Sequence, residues 1–458
     1  MDTGSLPATV SLAATSVLPR YFDLAYPNVV AGSGVWLTTA DGRQILDACS
    51  GGAMVTCLGH GVDELAEAAA RQAEEVSYFY NHHFTNWPQE ELARRIVDVV
   101  APRMGRVRFV SGGSEANETA LQLARLYHVE RGEARRWRVI SPAQAYHGST
   151  MGTLALAGRR RLHGPFGPYL AEHLHIPPAT ARFDPTGEAA LAALDRALEE
   201  AGPDTVAAFF CEPISAAALP GYSPPSRFWE GLAERRQRYG FLVCFDEVVT
   251  GLGRTGTWLA ADQLPIEPDI VTLGKALGAG HAPIAAVVCR QEIYDAVEQG
   301  SGEFDLGHTW DGAPVSCAVG LKVLEILEGR GLVAAVRQRG PRLLEMLREA
   351  LAGCEIVGEV RGRGFLLGVE LVDPRDGRSF LPADWDVAAL VDDTAFAHGV
   401  LVTSTHPQAD GLAGDQTLLA PAYVASDAEL TAMVERFATA IREVEATVKA
   451  RLRREEGR

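Results

Sequence analysis

Lysine is almost missing from this chain of 458 residues. Only Lys275, Lys322 and Lys449 occur, and arginine supplies nearly all the positive charge. Acidic residues outnumber basic ones and leave a net charge of −17. That balance argues against nucleic acid or an anionic membrane as a partner, because phosphate-rich surfaces are bound through basic patches. Paired cysteine motifs are also missing. The seven cysteines are scattered, odd in number and mostly inside apolar runs, with no Cys-x-x-Cys pair. They read as reduced, packed thiols of a cytoplasmic protein. No apolar run approaches the ~18 residues of a membrane helix. The N-terminal residues carry no basic segment, and the apolar piece from Val10 to Leu18 is broken by Ser and Thr, so no signal peptide is expected. There is no Gly-x-Ser-x-Gly elbow to support a hydrolase triad. His82-His83 and His173-Leu-His175 lack a second arm of ligands at metal spacing, so no metal site is expected.

What remains is ordinary globular composition, 47% hydrophobic and 22% charged, with length for a large core and two or three lobes. Residues 1–35 read as an irregular arm, and 34–47 as a hairpin turning at Asp41-Gly42. A helix follows over 63–76, then the aromatic patch Tyr78-Phe-Tyr-Asn-His-His-Phe84. That patch suits a pocket wall, a subunit contact or a hydrophobic corner equally. From about 88 to 325, helical and strand patterns alternate. Helices over 88–100, 115–131, 188–201 and 225–239 precede strands over 106–110, 137–141, 205–211 and 241–245. This alternation predicts a mostly parallel, doubly wound α/β sheet. Beyond it come a helix over 333–352, strand-like segments at 365–372 and 418–420, and a long charged helix over 427–454, a smaller α+β lobe. The expected division is an N-terminal arm with part of the small domain (1–60), a large α/β domain (61–325) and a C-terminal small domain (326–458).

Two apolar runs end in reactive groups. Phe241-Leu-Val-Cys-Phe-Asp246 ends on a carboxylate, and Pro268-Asp-Ile-Val-Thr-Leu-Gly-Lys275 ends on an amine. Ligands of open α/β sheets sit outside the carboxyl ends of the strands. Two such ends, about one βαβ crossover apart, would meet in one crevice. A desolvated lysine there becomes a nucleophile toward carbonyls; a solvated lysine capping a helix is the bland alternative. Ser111-Gly-Gly-Ser-Glu-Ala-Asn-Glu118 joins a strand to a helix, with Ser114 read as the N-cap. It suits either an anion at a helix N-terminus or a plain capped turn. Tyr146-His147-Gly148 offers an aromatic at a strand end that could stack on a planar ring or simply pack. Glu212, in Cys211-Glu212-Pro213, is a second strand-end carboxylate and needs a partner if buried. Gly251-Leu-Gly-Arg-Thr-Gly256 matches a dinucleotide fingerprint, but no helix pattern opens from it, so a nicotinamide cofactor is not expected.

Together these motifs, in this order, resemble the class III aminotransferases, pyridoxal-phosphate enzymes of fold type I. The likeness runs from the Asp41-Gly42 hairpin to Arg361-Gly-Arg-Gly-Phe-Leu-Leu-Gly368. It implies a transaminase moving an amino group from an amine or ω-amino acid to a keto acid or aldehyde. In this resemblance Lys275 forms the Schiff base with pyridoxal phosphate and Asp246 pairs with the ring nitrogen. Tyr146 and Val248 sandwich the ring, with His147 also in the cofactor site. Gly113 and Ser114 hold the phosphate, and Thr309 reaches the phosphate of a neighbouring subunit in a homodimer with shared sites. Glu212 organises the substrate side, and Met54, Phe84 and Tyr146 line the substrate pocket. Relatives that decarboxylate, racemise or shift an amino group share these cofactor residues and are the alternative. Many family members carry an arginine before a Pro-Pro-Leu-like segment to grip a substrate carboxylate. Residues 404–422 contain no arginine here.

Overall fold

The computed structural model describes residues 7–11, 15–22, 25–158, 163–405 and 411–456. The N-terminal hairpin is real and is one strand wider than expected. Strands β1 (Val29–Ser33), β2 (Trp36–Thr39) and β3 (Gln44–Asp47) pair antiparallel. Gly42 makes the turn with φ of 84°, a conformation glycine adopts without strain. The segment around Val29 is therefore a strand and not an irregular arm; residues 1–6, 12–14 and 23–24 lie outside the described residues.

A seven-stranded sheet forms the core. Its strands are β4 (Arg106–Val110), β5 (Arg138–Pro142), β6 (Leu174–Ile176), β7 (Val206–Cys211), β8 (Leu242–Asp246), β9 (Ile270–Leu273) and β10 (Ala285–Cys289), in the order β4-β10-β9-β8-β7-β5-β6. All run parallel except β10, which is antiparallel to both neighbours. Every residue of β7, β8, β9 and β10 is buried. Double-sided burial is why these segments read as unbroken apolar runs rather than alternating ones. The reversal at β10 follows from chain length. Only a short turn separates Leu273 from Ala285, and a parallel return needs a dozen or more residues. Phe209, Phe228, Trp229 and Phe245 interlock at 5.3–6.2 Å between the sheet and helix α5 (Ser226–Tyr239); the longer helices before it are α1 (Asp63–Glu75), α2 (Trp87–Arg95), α3 (Gly113–Glu130) and α4 (Glu188–Ala201).

Two helix boundaries differ from expectation. Asn86 caps α2 by accepting from the Gln89 N–H at 3.0 Å, and the helix continues as a π turn over Ile96–Val100. Helix α3 starts two residues earlier than its pattern suggests. Gly112 is its N-cap, so Ser114 sits inside the first turn and does not cap it. Ser114 Oγ instead accepts the Ser149 N–H at 3.1 Å.

The remaining chain builds two smaller sheets. Strands β11 (Val357–Arg363), β12 (Leu366–Leu371), β14 (Thr403–Thr405) and β15 (Gln416–Leu419) form one, in the order β11-β12-β15-β14 and antiparallel. Strand β13 (Val400–Leu401) pairs parallel with β3, tying the N-terminal hairpin to the C-terminal part. The closing helix spans Asp427–Glu456. No helix among the described residues is long and apolar enough to cross a membrane.

Candidate functional site

Strands β8 and β9 lie side by side, with Asp246 opposite Thr272. Their carboxyl ends carry the two groups singled out from sequence. Asp246 is 5% exposed. Its Oδ2 accepts from Asn117 Nδ2 at 2.8 Å and from His147 Nδ1 at 2.9 Å, and its Oδ1 accepts from the Val248 N–H at 3.0 Å. Three donors on one buried carboxylate satisfy both its oxygens and fix its orientation. Asn117 is locked in turn. Its amide also donates to the His147 carbonyl at 2.7 Å, and its oxygen accepts from Thr272 Oγ1 at 2.7 Å. His147 packs edge-on against Phe210, and its Nε2 is buried with no partner.

Lys275 leaves β9 through Gly274 and opens a short 3-10 turn with φ of 45°. A left-handed conformation costs a non-glycine residue of order 1–3 kcal/mol, and such strain persists only where the surroundings impose it. Burial lowers the proton affinity of its amine below the usual lysine range, while Asp246 and Glu212 pull it upward. Glu212 Oε2 accepts from the Tyr146 N–H at 3.2 Å, and its Oε1 from the Ala216 N–H at 3.1 Å. Burial raises its pKa, and so does the nearby Asp246 charge, against His147 and these amides.

Val248 stands between two glycines. A Cβ at Gly113 would come 2.9 Å from Val248 Cγ1, and one at Gly274 would come 3.1 Å from it. A Cβ at Gly112, by contrast, would meet nothing within 4 Å. The N-terminus of α3 therefore faces open space, and its first N–H groups have no partner within the helix.

Lys275, Asp246, His147, Tyr146, Glu212, Val248, Gly113 and Ser114 thus gather at one edge of the sheet. Met54 sits apart from solvent at 5% exposure, packed with Cys49, Ile214, Ala216 and Leu418. Phe84 and Thr309 do not join the cluster in this chain. Phe84 is 67% exposed. Thr309 is exposed and lines a cavity of about 600 Å³ with Tyr78, Tyr80, Arg108 and His308. Asn117 and Thr272 were missed from sequence. Their signal was a polar residue interrupting an apolar pattern, Asn117 on α3 and Thr272 on β9. Within the arginine-free stretch 404–422, residues 406–410 lie outside the described residues. Among the described residues no three His, Cys, Asp or Glu side chains gather as metal ligands would.

A half-buried amine at the same carboxyl edge of an α/β sheet as a clamped carboxylate and an open helix N-terminus defines a group-transfer enzyme of the fold type I class. Similarity to known proteins carries this further. The aminotransferase class-III family model matches residues 22–441, so the chain belongs to the class III aminotransferases and is a transaminase. An uncharacterized aminotransferase, YodT, of Bacillus subtilis is 34% identical, over 93% of this chain and 97% of that protein. Gamma aminobutyrate transaminase 2 of Solanum lycopersicum is 33% identical, over 91% of each chain. Among solved structures, an (S)-enantioselective omega-transaminase from Thermomicrobium roseum superposes with a TM-score of 0.87 at 32% identity, covering 94% of this chain and 96% of that one. A PLP-bound amine transaminase from an uncultivated Pseudomonas species gives 0.85 at 31%, covering 91% and 95%.

Class III membership implies pyridoxal phosphate, and the residues fit it. The amine of Lys275 suits an aldehyde, the oriented carboxylate of Asp246 suits a ring nitrogen, and the open N-terminus of α3 beside Gly112 suits a phosphate.

Proposed function

We propose that this transaminase carries an amino group from an amine or ω-amino acid to a keto acid or aldehyde, with Lys275 as its covalent and proton-transferring residue. The observation that carries the reading is that the Lys275 amine and the triply held Asp246 carboxylate leave the carboxyl ends of neighbouring paired strands. The cofactor supplies an aldehyde that captures the substrate amine and a ring that draws electrons from the adjacent carbon. The protein's part is binding and proton placement. Gly113 and Ser114, at the head of α3, bind the phosphate. Tyr146 and Val248 bracket the ring. His147 keeps its Nδ1–H on Asp246, so the carboxylate stays oriented toward the position the ring nitrogen would take. Lys275, biased toward the neutral amine by burial, takes the proton from the substrate carbon at Nζ and returns it one position along. Glu212 anchors the Tyr146 backbone on the substrate side.

The donor class rests on the missing clamp. Without an arginine in 404–422, no bidentate grip holds an α-carboxylate there. The names of similar proteins, gamma aminobutyrate and amine transaminases, point the same way. We assign the functional unit as a homodimer in which Thr309 serves the neighbour's phosphate and Phe84 lines the neighbour's substrate pocket. Tyr78, Trp87 and Trp310 stand exposed around them, and a subunit contact would cover them. Seven buried thiols, none bridged, agree with the reducing cytoplasm.

Borohydride treatment followed by peptide mapping tests the assignment. A cofactor label on Lys275, with none on Lys322 or Lys449, is the expected result, and its absence from Lys275 refutes the reading. Multiple turnovers that require a keto acceptor separate transamination from racemisation on the same scaffold.

A further inference from the structure

The loop Gly251-Leu-Gly-Arg-Thr-Gly256 opens no helix and binds no nucleotide in the scheme above, yet it holds one of the largest fully buried side chains. Arg254 is 0% exposed. Its Nη1 donates to the Phe365 carbonyl at 3.1 Å and the Pro421 carbonyl at 2.6 Å, and its Nη2 donates to Ser50 Oγ at 3.1 Å. The guanidinium lies over the Tyr423 ring at 4.7 Å, and its Nε has no partner. Among the described residues, each of its hydrogen bonds goes to a neutral oxygen. A buried cation without a carboxylate is costly, and carbonyl dipoles offset only part of that cost.

The segment it grips is strained. Ser50, Gly51, Gly52 and Met54 all have positive φ, from 46° to 79°. Asp47 accepts the N–H groups of Cys49 and Gly51, and Ser50 Oγ donates to the Ala420 carbonyl at 2.6 Å. The same stretch sits on the Lys275 turn. Cys57 Sγ is 3.6 Å from the Ala276 carbonyl, and a Cβ at Gly280 would come 2.8 Å from Thr56.

We propose that Arg254 is a positioning residue for transamination: through Ser50 it holds the left-handed wall of residues 50–54, whose continuation at Thr56 and Cys57 packs on the Lys275 turn. This rests on Lys275 being the reacting amine. The charged and titratable groups acting on that amine are Asp246 and Glu212, which favour its protonation, Cys49, and Arg254, which opposes it in the same direction as burial. The wall has to stay rigid because the chain that continues it, at Thr56 and Cys57, packs on the turn of the residue that must move a proton. A loosened wall leaves the chemistry intact and degrades donor binding.

Three variants of the holoenzyme test this. Ser50→Ala removes the hydroxyl between Arg254 and the wall, and a donor KM about three- to tenfold higher, with kcat within twofold, is expected. Arg254→Lys keeps the charge and loses the fork, and Arg254→Met removes both, so each should reproduce that KM effect with kcat within twofold. An unchanged KM in Ser50→Ala overturns the proposal, as does a KM equal to wild type in Arg254→Lys. If Arg254→Met does not fold, the KM values of Ser50→Ala and Arg254→Lys decide. Failure of these variants while borohydride still marks Lys275 would sink the role of Arg254 and leave the transaminase assignment standing.

Discussion

The carboxyl edge of the parallel sheet and the aromatic face around Thr309 treat their side chains in opposite ways. At the sheet edge the Asp246 carboxylate is held on both oxygens, and His147 Nε2 alone in its network lacks a partner. Asp246, Asn117, His147 and Thr272 close a buried network in which each oxygen of Asp246 and Asn117 has a donor. At the other face, Tyr78 meets Trp310 edge-on at 5.6 Å and both remain about half exposed, next to Phe84 and Trp87. A satisfied buried network makes a site rigid before its ligand arrives. An apolar patch left open on one chain is a surface waiting for cover. The sheet edge is thus ordered within the chain, whereas the aromatic face has the exposed apolar character of a contact surface, in keeping with the proposed homodimer.

The sharpest way to break the comparison is at the sheet edge. Lys275→Ala should lower turnover by ~10⁴-fold or more, since no other lysine lies near the sheet edge to replace the nucleophile; steady-state rates with saturating donor and acceptor measure it. Asp246→Asn should cost about 10²- to 10³-fold in kcat while the cofactor is retained, because the carboxylate proposed to face the ring nitrogen becomes an amide. If Asp246→Asn keeps full activity, the network is scaffolding only.

The aromatic face should respond more gently. Trp310→Ala is expected to weaken self-association about tenfold and to make specific activity fall on dilution, as sedimentation and dilution assays would register. A variant that stays dimeric with wild-type affinity would mean the patch serves something other than a second copy. The smallest effect concerns stability. Burial depresses Lys275 from its ordinary 10.5, so below that pH the unfolded chain binds more protons than the folded one and stability rises with pH. Lys275→Met should therefore stabilise the cofactor-free protein by about 1 kcal/mol at pH 7, with the gain shrinking toward pH 10, in thermal melts across that range.

Much of this was legible in the residues. β7, β8 and β9 announced themselves as apolar runs because both faces of the sheet are covered. Asp246 and Lys275 stood out because each ends such a run. Strand β10 did not, because the same apolar signal carries no direction, and only the short return after Lys275 forces it antiparallel. Three-residue strands such as Leu174–Ile176 and Thr403–Thr405 are too brief to leave a period. Ser114 was misread as a cap because glycine at Gly112 can end the strand and admit the helix earlier.

What the residues settled alone was the inventory: a single lysine at a strand end, a carboxylate on a neighbouring strand and a glycine-bounded helix start, arranged in the order the family uses. Those are local patterns, written in a few consecutive positions each. What only the tertiary structure decided was which distant polar groups complete them. Asn117 on Asp246, Arg254 on Ser50 and the exposure of Thr309 join segments far apart in the chain, and a buried polar group takes whichever partner the packing brings within hydrogen-bond distance.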